Sequence, residues 1–566
     1  MGELYRVKRF FACVWIIIAS LLYPFVSGAQ TAPGKYWIQF TDKAASPFSL
    51  SNPSAFLSEK CIERRLKFSI GFDERDIPVN ESYIDQVLAT GFCELHHRSK
   101  WFNAITIFTL DSTLIDTIAT LPFVYQVKAV QTFSTSDEQL MEKDVTATIK
   151  SIQEDRCDVS EKYGPSFRQI EMLNGHLLHA LGYTGKNVDI AQLDAGWDKT
   201  DQLPAFDKLR GEGRIKMTRD FVFEPTDPVY SLNTHGTFCL SIMAGNIPDS
   251  LLGTAPDANY YLFRSEDPTG ENLVEEDNWV AAAELCDSLG IDIINSSLGY
   301  SQFDDSTVNH TYADMDGNTT HAAIAADIAA SKGILVVNSA GNSGDNPWHY
   351  ITTPSDGDSV LCIGAVNADR QHAFFSSYGP SSDGDVKPNV SAMGQATVYA
   401  ALDSTINTGN GTSFSSPVIA GMAACLLQAF PDKSNMEIFH AIEESASLYP
   451  GHNDEIGFGI PDFWRAFQLL QGIGTSIGDL HAELFPNPCH DHTTLILHEA
   501  VSCDVGYEIY DSAGRCTYRG KGVISAADTG VLQLDDALQT LSKGVYSLHL
   551  SQDGKHSVIK FEKMDF

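Results

Sequence analysis

The sequence predicts a three-layer α/β domain with a mostly parallel sheet, preceded by a small α+β unit and followed by a small all-β sandwich. Three changes of texture carry this reading. Between Phe167 and about Leu470, nearly continuous apolar runs (NVDIAQLD, ANYYLFRS, IDIINSSLG, ILVVNSAGN, VLCIGAV) alternate with helical stretches such as NWVAAAELCDSLG and HAAIAADIAASKG. Strands apolar on both faces belong in a sheet covered on both sides, with the helices as crossovers. Before that, from Lys35 to about Val130, strand-like runs (YWIQF, NAITIFTL, VYQVKAV) alternate with helical patterns (SAFLSEKCIERRLK, YIDQVLATG, LIDTIATL). After it, from about His481 to Phe566, β-branched runs (TTLILH, YEIYD, GVLQL, GVYSLHL, HSVIKFEK) are separated by Gly, Asp and Ser turns, the spacing of a sandwich.

Length and composition agree with several folding units. The 566 residues exceed one ordinary core. With 43% hydrophobic and 20% charged residues the chain is globular, which excludes wholesale disorder. The net charge of -35 and pI near 4.7 argue against nucleic acid or anionic lipid as a main partner, since an acidic surface repels phosphate. Arg6, Lys8 and Arg9 precede an apolar run from Phe10 to Val26, and Ser27-Gly28-Ala29 offers a small-x-small cleavage site, so residues 1–29 read as an export signal. Ser20 and Pro24 interrupt that run, which is short for a spanning helix. The division that follows is 30–131 for the α+β unit, 132–165 for a polar linker (STSDEQLMEKD, QEDRCDVSEK), 166–470 for the α/β domain, 471–480 for a second linker and 481–566 for the sandwich.

Of 11 cysteines, Cys13 lies in the leader and the other ten are scattered without a CxxC pair, a pattern that speaks against zinc and leaves disulfides unassigned. Cys239 and Cys425 fall in apolar helical patterns and read as small buried thiols.

In open parallel sheets, reactive groups gather beyond the carboxyl ends of the strands. Asp194 closes the strand NVDIAQLD; alone, such an Asp reads equally as a cap or turn former. His235, in NTHGTFCLSIMAGN, opens a helix, where the neutral imidazole is favoured and suited to act as a base; a lone histidine there is more often structural. Ser413, in NGTSFSSPVIAGMAACLLQ, starts a helix rich in small residues, close to backbone N–H groups that stabilise developing negative charge. Pro417, within the first helical turns, removes an N–H that would otherwise need a partner. The chain order Asp, His, Ser is one of the three known triad orders.

Taken together, QLDAGW, THGTFCLSIMAG and GTSFSSPVIAG resemble, in order, the Asp, His and Ser motifs of the subtilase family. GTAPDANYYLFRS and FSSYGPSSDGDVKPNVSAMG resemble other stretches of that family, and the likeness runs from about Asn174 to Leu469. The resemblance implies a subtilisin-like fold and a secreted serine endopeptidase that cleaves polypeptides through an acyl-enzyme, with no cofactor in the chemistry. By it, Asp194, His235 and Ser413 are the triad, and Asn342 in SAGNSG is the oxyanion donor beside the Ser413 N–H. Ser297, Leu298 and Gly299 in INSSLGY would hold the substrate as an added β-strand and line its S1 cleft, with Ala340 and Gly341 also in contact with substrate. Phe238 stands where many relatives have a second histidine. The rival from another class is a surface adhesin on an inactive scaffold; retention of all four polar positions speaks against it.

Calcium is a frequent structural ion in such enzymes. The insertion 302–320 contains Asp314-x-Asp316-Gly317-Asn318 but lacks the glutamate of an EF-hand and reads as a solvated turn. The N-terminal unit resembles the inhibitory propeptides of subtilases, which makes the chain's own propeptide a partner. The FPNPC opening, the DSAGR turn and the GVY hairpin of the last domain resemble the sorting domain of the type IX secretion system, which implies that machinery as a partner and passage through periplasm and outer membrane. The alternative for this domain is a carbohydrate-binding or adhesive sandwich.

Overall fold

A computed structural model describes residues 34–44, 46–132, 162–223, 228–471 and most of 477–564. The leader 1–29, residues 133–161 of the first linker and most of the second linker lie outside the described residues.

The N-terminal unit is a four-stranded antiparallel sheet in the order β2-β3-β1-β4, made of β1 (Gly34–Phe40), β2 (Glu94–Ser99), β3 (Ala104–Thr109) and β4 (Val124–Thr132). Side chains alternate across its faces. Tyr36, Ile38, Ile105 and Ile107 pack on Ile84 and Val87 of the helix Glu81–Leu88 and Ile118 of the helix Thr113–Ala119. Trp37, Ala104 and Val130 point the other way and join Leu273, Val274, Tyr300, Phe303 and Ala322 of the central domain.

An ionic clamp lies beyond this apolar contact. The helix Glu59–Lys67 places Lys60 between Asp189 (2.5 Å) and Asp292 (2.8 Å), at the amino edges of two neighbouring strands. Arg64, Arg65 and Lys100 converge on the fully buried Asp287, and Arg65 also pairs with Asp76 at 2.9 Å. Burial alone would raise Asp287, yet the three cations hold its carboxyl far below the usual range.

The central sheet has seven strands, all parallel, in the order β13-β12-β11-β10-β5-β9-β6. They are β5 (Asp189–Asp194), β6 (Ile215–Asp220), β9 (Asn259–Arg264), β10 (Ile293–Ser296), β11 (Leu335–Ser339), β12 (Val360–Val366) and β13 (Val390–Met393); β7 (Asn246–Ile247) with β8 (Leu251–Leu252), and β14 (Thr397–Ala400) with β15 (Ile406–Gly409), form two separate antiparallel pairs. From β5 the chain goes to the edge strand β6, returns through β9 beside β5, then crosses to β10 on the other side of β5 and runs outward through β11, β12 and β13, so the carboxyl end of β5 lies at the topological switch point. On one face Trp279, Ala282 and Ala283 of the helix Val274–Leu289 and Ala325, Ala326 and Ala329 of the helix His321–Ser331 cover Ala191, Leu193, Ile294 and Val336. The helices His235–Ala244 and Thr412–Ala429 occupy the other. The second of these is buried along most of its length because the sheet, the His235 helix beside it and the helices Asn435–Glu444 and Phe463–Leu470 enclose it. Residues 162–166 are also ordered: Tyr163 is buried against His179, so the packed chain begins inside the stretch expected to be linker.

The C-terminal unit places a five-stranded sheet, β16 (Ile477–Gly478), β23 (Lys555–Lys563), β22 (Gly544–Gln552), β19 (Cys503–Asp511) and β20 (Cys516–Ile524), against a three-stranded one, β17 (Ala482–Phe485), β18 (Thr494–Leu497) and β21 (Val531–Gln533). Leu484, Leu495, Val505, Ile509, Leu548 and Phe561 fill the space between them. The expected sandwich is present.

Candidate active site

Asp194 is the last residue of β5 and is fully buried. Its Oδ1 accepts from the Ala195 N–H and from His235 Nδ1, each at 2.8 Å. His235 is the first residue of its helix, and its N–H is capped by Asn233 Oδ1 at 2.8 Å. The helix can start this close to the Asp194 strand because residue 236 is a glycine: a Cβ there would lie 2.5 Å from the Gly196 carbonyl and 2.9 Å from the Trp197 ring. The expectation that the helix N-terminus keeps His235 neutral is overturned. Burial does oppose the charged ring, but the Asp194 carboxylate outweighs both effects and holds His235 well above its ordinary value.

Ser413 sits in the first turn of its helix, after Gly411. Pro417 stands four residues on, where an ordinary residue would donate to the Ser413 carbonyl. That carbonyl accepts instead from Ser297 Oγ at 3.0 Å and from Cys239 Sγ at 3.2 Å. Cys239 lies one turn after His235 and 3.9 Å from both ring nitrogens, and burial raises its thiol, so it remains a donor. The Ser413 turn is thereby joined to β10's extension and to the His235 helix. The phenyl ring of Phe414 stacks 6.4 Å from the imidazole.

Asn342 is exposed, and its orientation is fixed from the carbonyl side: Oδ1 accepts from the Thr412 N–H (2.8 Å) and Thr412 Oγ1 (3.0 Å), which leaves Nδ2 as a free donor. Thr412 Oγ1 also takes the Gly341 N–H at 3.2 Å. A Cβ on Gly411 would lie 3.5 Å from Ser413 Oγ and 3.7 Å from Asn342 Nδ2, so hydroxyl and amide face one small space. Gly411 has φ +155°, where side chains are strained.

Of the expected substrate edge, Ser297 is buried and its hydroxyl serves Ser413, whereas Leu298 is half-buried and Gly299 exposed. Ala340 is buried and Gly341 half-buried alongside. Between these two segments lies Thr352, which sequence reasoning missed. Its Oγ1 would be 2.1 Å from a Cβ on Gly299 and 3.1 Å from one on Gly341, and it is buried with no hydrogen-bond partner. Only the two flanking glycines leave room for it, and that signal is visible only once the segments are folded together. Thr412, Cys239 and Gln192 were missed for the same reason.

Asp314 accepts from Thr311, and Asp316 from Asn318 and Thr319, so these carboxylates serve their own turns. Among the described residues, Cys61, Cys93, Cys239, Cys286, Cys362, Cys425 and Cys516 are thiols outside any disulfide.

A parallel α/β sheet that gathers a carboxylate, an imidazole and a hydroxyl beside an amide donor at its switch point defines a hydrolase of the serine class. Family comparison narrows this: residues 130–459, more than half of the chain, match the subtilase family, and the chain belongs to it. It is a subtilisin-like serine endopeptidase. Residues 35–145 match the peptidase S8 propeptide domain of Bacteroidota, and residues 483–563 a secretion system C-terminal sorting domain. Subtilisin NAT of Bacillus subtilis subsp. natto is 28% identical over 350 residues, which cover 61% of this chain and 82% of that protein. A thermophilic serine proteinase of Bacillus sp. strain AK1 is 32% identical over 277 residues, 48% of this chain and 59% of that one. Among solved structures, the MycP3 protease from the type VII (ESX-3) secretion system aligns with TM-score 0.42 and 21% identity over 54% of this chain and 91% of its own.

The close approach at Gly236 generates a direct test. Gly236→Ala should lower kcat on a peptide substrate by about a hundredfold, since displacing a catalytic side chain by about 1 Å costs that much. Gly211→Ala, where nothing lies within 4 Å of the added methyl, should leave kcat unchanged.

Proposed function

We propose that Asp194, His235 and Ser413 form the catalytic triad and Asn342 the side-chain half of the oxyanion hole. His235 removes the Ser413 proton as Oγ attacks the scissile carbonyl, and Asp194 stabilises the imidazolium. Asn342 Nδ2 and the Ser413 N–H, which has no intrahelical partner in the first turn, take up the developing oxyanion. The imidazolium then protonates the leaving amine, and water activated by His235 releases the acyl group. No cofactor enters these steps. The 2.8 Å Asp194–His235 bond, together with the space shared by Ser413 Oγ and Asn342 Nδ2, is the observation that carries the reading.

A fluorophosphonate should label wild-type protein at Ser413. Ser413→Ala should abolish labelling, lower turnover on the order of a millionfold, and leave the precursor uncut between residues 132 and 165. Asn342→Ala should lower kcat by about 10²–10³-fold at similar KM. Absence of labelling in folded wild-type protein would favour the inactive adhesin.

The residue before the scissile bond would lie between Leu298–Gly299 and Ala340–Gly341, and Thr352 stands across that space. A side chain there shortens the cleft and offers a hydroxyl, so small or hydrogen-bonding P1 residues are preferred to aromatic ones. Thr352→Gly should raise kcat/KM for P1 phenylalanine relative to P1 alanine by about 10-fold or more, as read in a peptide library; an unchanged ratio would remove Thr352 from the specificity site.

We propose that the chain is exported through the type IX system, across periplasm and outer membrane, to the medium or the cell surface, a reading that its C-terminal sorting domain supports. Deleting residues 478–566 should leave active enzyme in the periplasm, as measured by fractionation; normal delivery to the medium would contradict the sorting role.

A further inference from the structure

β5 runs through the centre of a sheet covered on both faces, and every residue from Asp189 to Asp194 is buried. Positions of this kind favour apolar side chains. Gln192 is the exception: it carries a carboxamide at zero exposure in mid-strand. Two residues before Asp194 on a strand, it shares that residue's face. Its Nε2 donates to Asp194 Oδ2 at 3.1 Å and to the Gly236 carbonyl, in the first turn of the His235 helix, at 3.0 Å. Its Oε1 is buried without a partner. An orphaned acceptor in a dry interior is destabilising, and an apolar residue of similar size would avoid it.

The geometry of Asp194 shows what the carboxamide does. Oδ1 is occupied by the Ala195 N–H and by His235 Nδ1, and Gln192 is the donor to Oδ2 among the described residues. A carboxylate held at one oxygen can rotate about its side-chain torsion; held at both, it keeps Oδ1 aimed at the imidazole. The same amide group fixes the distance between strand and helix. A parallel arrangement serves the nucleophile: Asn295 of β10, the register partner of Gln192, accepts from Ser416 Oγ in the Ser413 helix at 3.1 Å. Thus two neighbouring strands each use one buried amide side chain, a step inside the sheet edge, to grip one of the two catalytic helices.

We infer that Gln192 is a positioning residue of the peptidase reaction: its carboxamide locks the Asp194 carboxylate toward His235 and ties β5 to the first turn of the His235 helix. The inference rests on the triad proposed above. Loss of the donor frees the Asp194 carboxylate to turn away from the imidazole, which weakens the hold on the imidazolium. His235 must be neutral to take the Ser413 proton, so the acid limb of activity then moves to lower pH.

The test compares wild type with Gln192→Met, which is close in volume and has no donor, using full-length protein matured normally and titrated for active sites. We expect kcat to fall about tenfold with KM within about twofold, the acid limb of kcat to move down by about half a pH unit, and the melting temperature to hold or rise as the orphaned acceptor disappears. A variant whose melting temperature falls while kcat and acid limb match wild type would show that Gln192 only packs, and would overturn the inference. If Gln192→Met accumulates poorly, Gln192→Leu makes the same comparison with a residue natural to buried strands. A wild-type enzyme unlabelled at Ser413 sinks the triad and this inference together. A normally labelled wild type beside an unshifted variant sinks the inference alone.

Discussion

The carbonyl of Ser413 is the joint on which the rest of the site depends. Pro417 denies it the N–H that helical geometry would supply, and a carbonyl buried in this interior must find a donor elsewhere. It finds two: the Ser297 hydroxyl from the strand edge and the Cys239 thiol from the His235 helix. One missing hydrogen bond therefore becomes a link among the nucleophile turn, the substrate-facing segment and the helix that carries the base. Such links persist because each leaves a buried group unsatisfied when broken.

The sheet supplies the other half of the constraint. Because the strand order reverses at β5, the loops beyond its carboxyl end diverge and leave a crevice, and Asp194 lies at its floor. Helices entering from one face converge on that crevice with their N-termini, so polar side chains at helix starts reach it without long loops. Small residues make the approach possible: Gly236 beneath the Gly196 carbonyl, and Gly411 beside Ser413 and Asn342.

Much of this architecture was legible in the chain. Unbroken apolar runs announced the parallel strands, and the change to alternating β-branched runs announced the sandwich, because burial on two faces or one leaves different periodicities. Asp194, His235 and Ser413 stood out through their small neighbours and chain order, and Asn342 through the resemblance of SAGNSG to the family's oxyanion motif. What escaped was whatever depends on distant partners. Gln192, Thr412 and Thr352 carry no motif of their own; their roles follow from groups between 2 and 71 positions away. The proton affinity of His235 was misjudged because a helix end is a partial charge, whereas the carboxylate 2.8 Å away is a full one.

The N-terminal unit is held by two unlike fastenings, and the contrast has a mechanical meaning. Lys60 reaches Asp189 and Asp292 from a side chain 40% exposed, where dissolved ions screen the attraction, while Arg65 meets Asp76 and Asp287 at zero exposure, out of reach of solvent. Raising ionic strength thus loosens one end of the contact and spares the other. Separation of the two units in brine begins as peeling from the Lys60 edge, with the Arg65 node acting as the last hinge to yield.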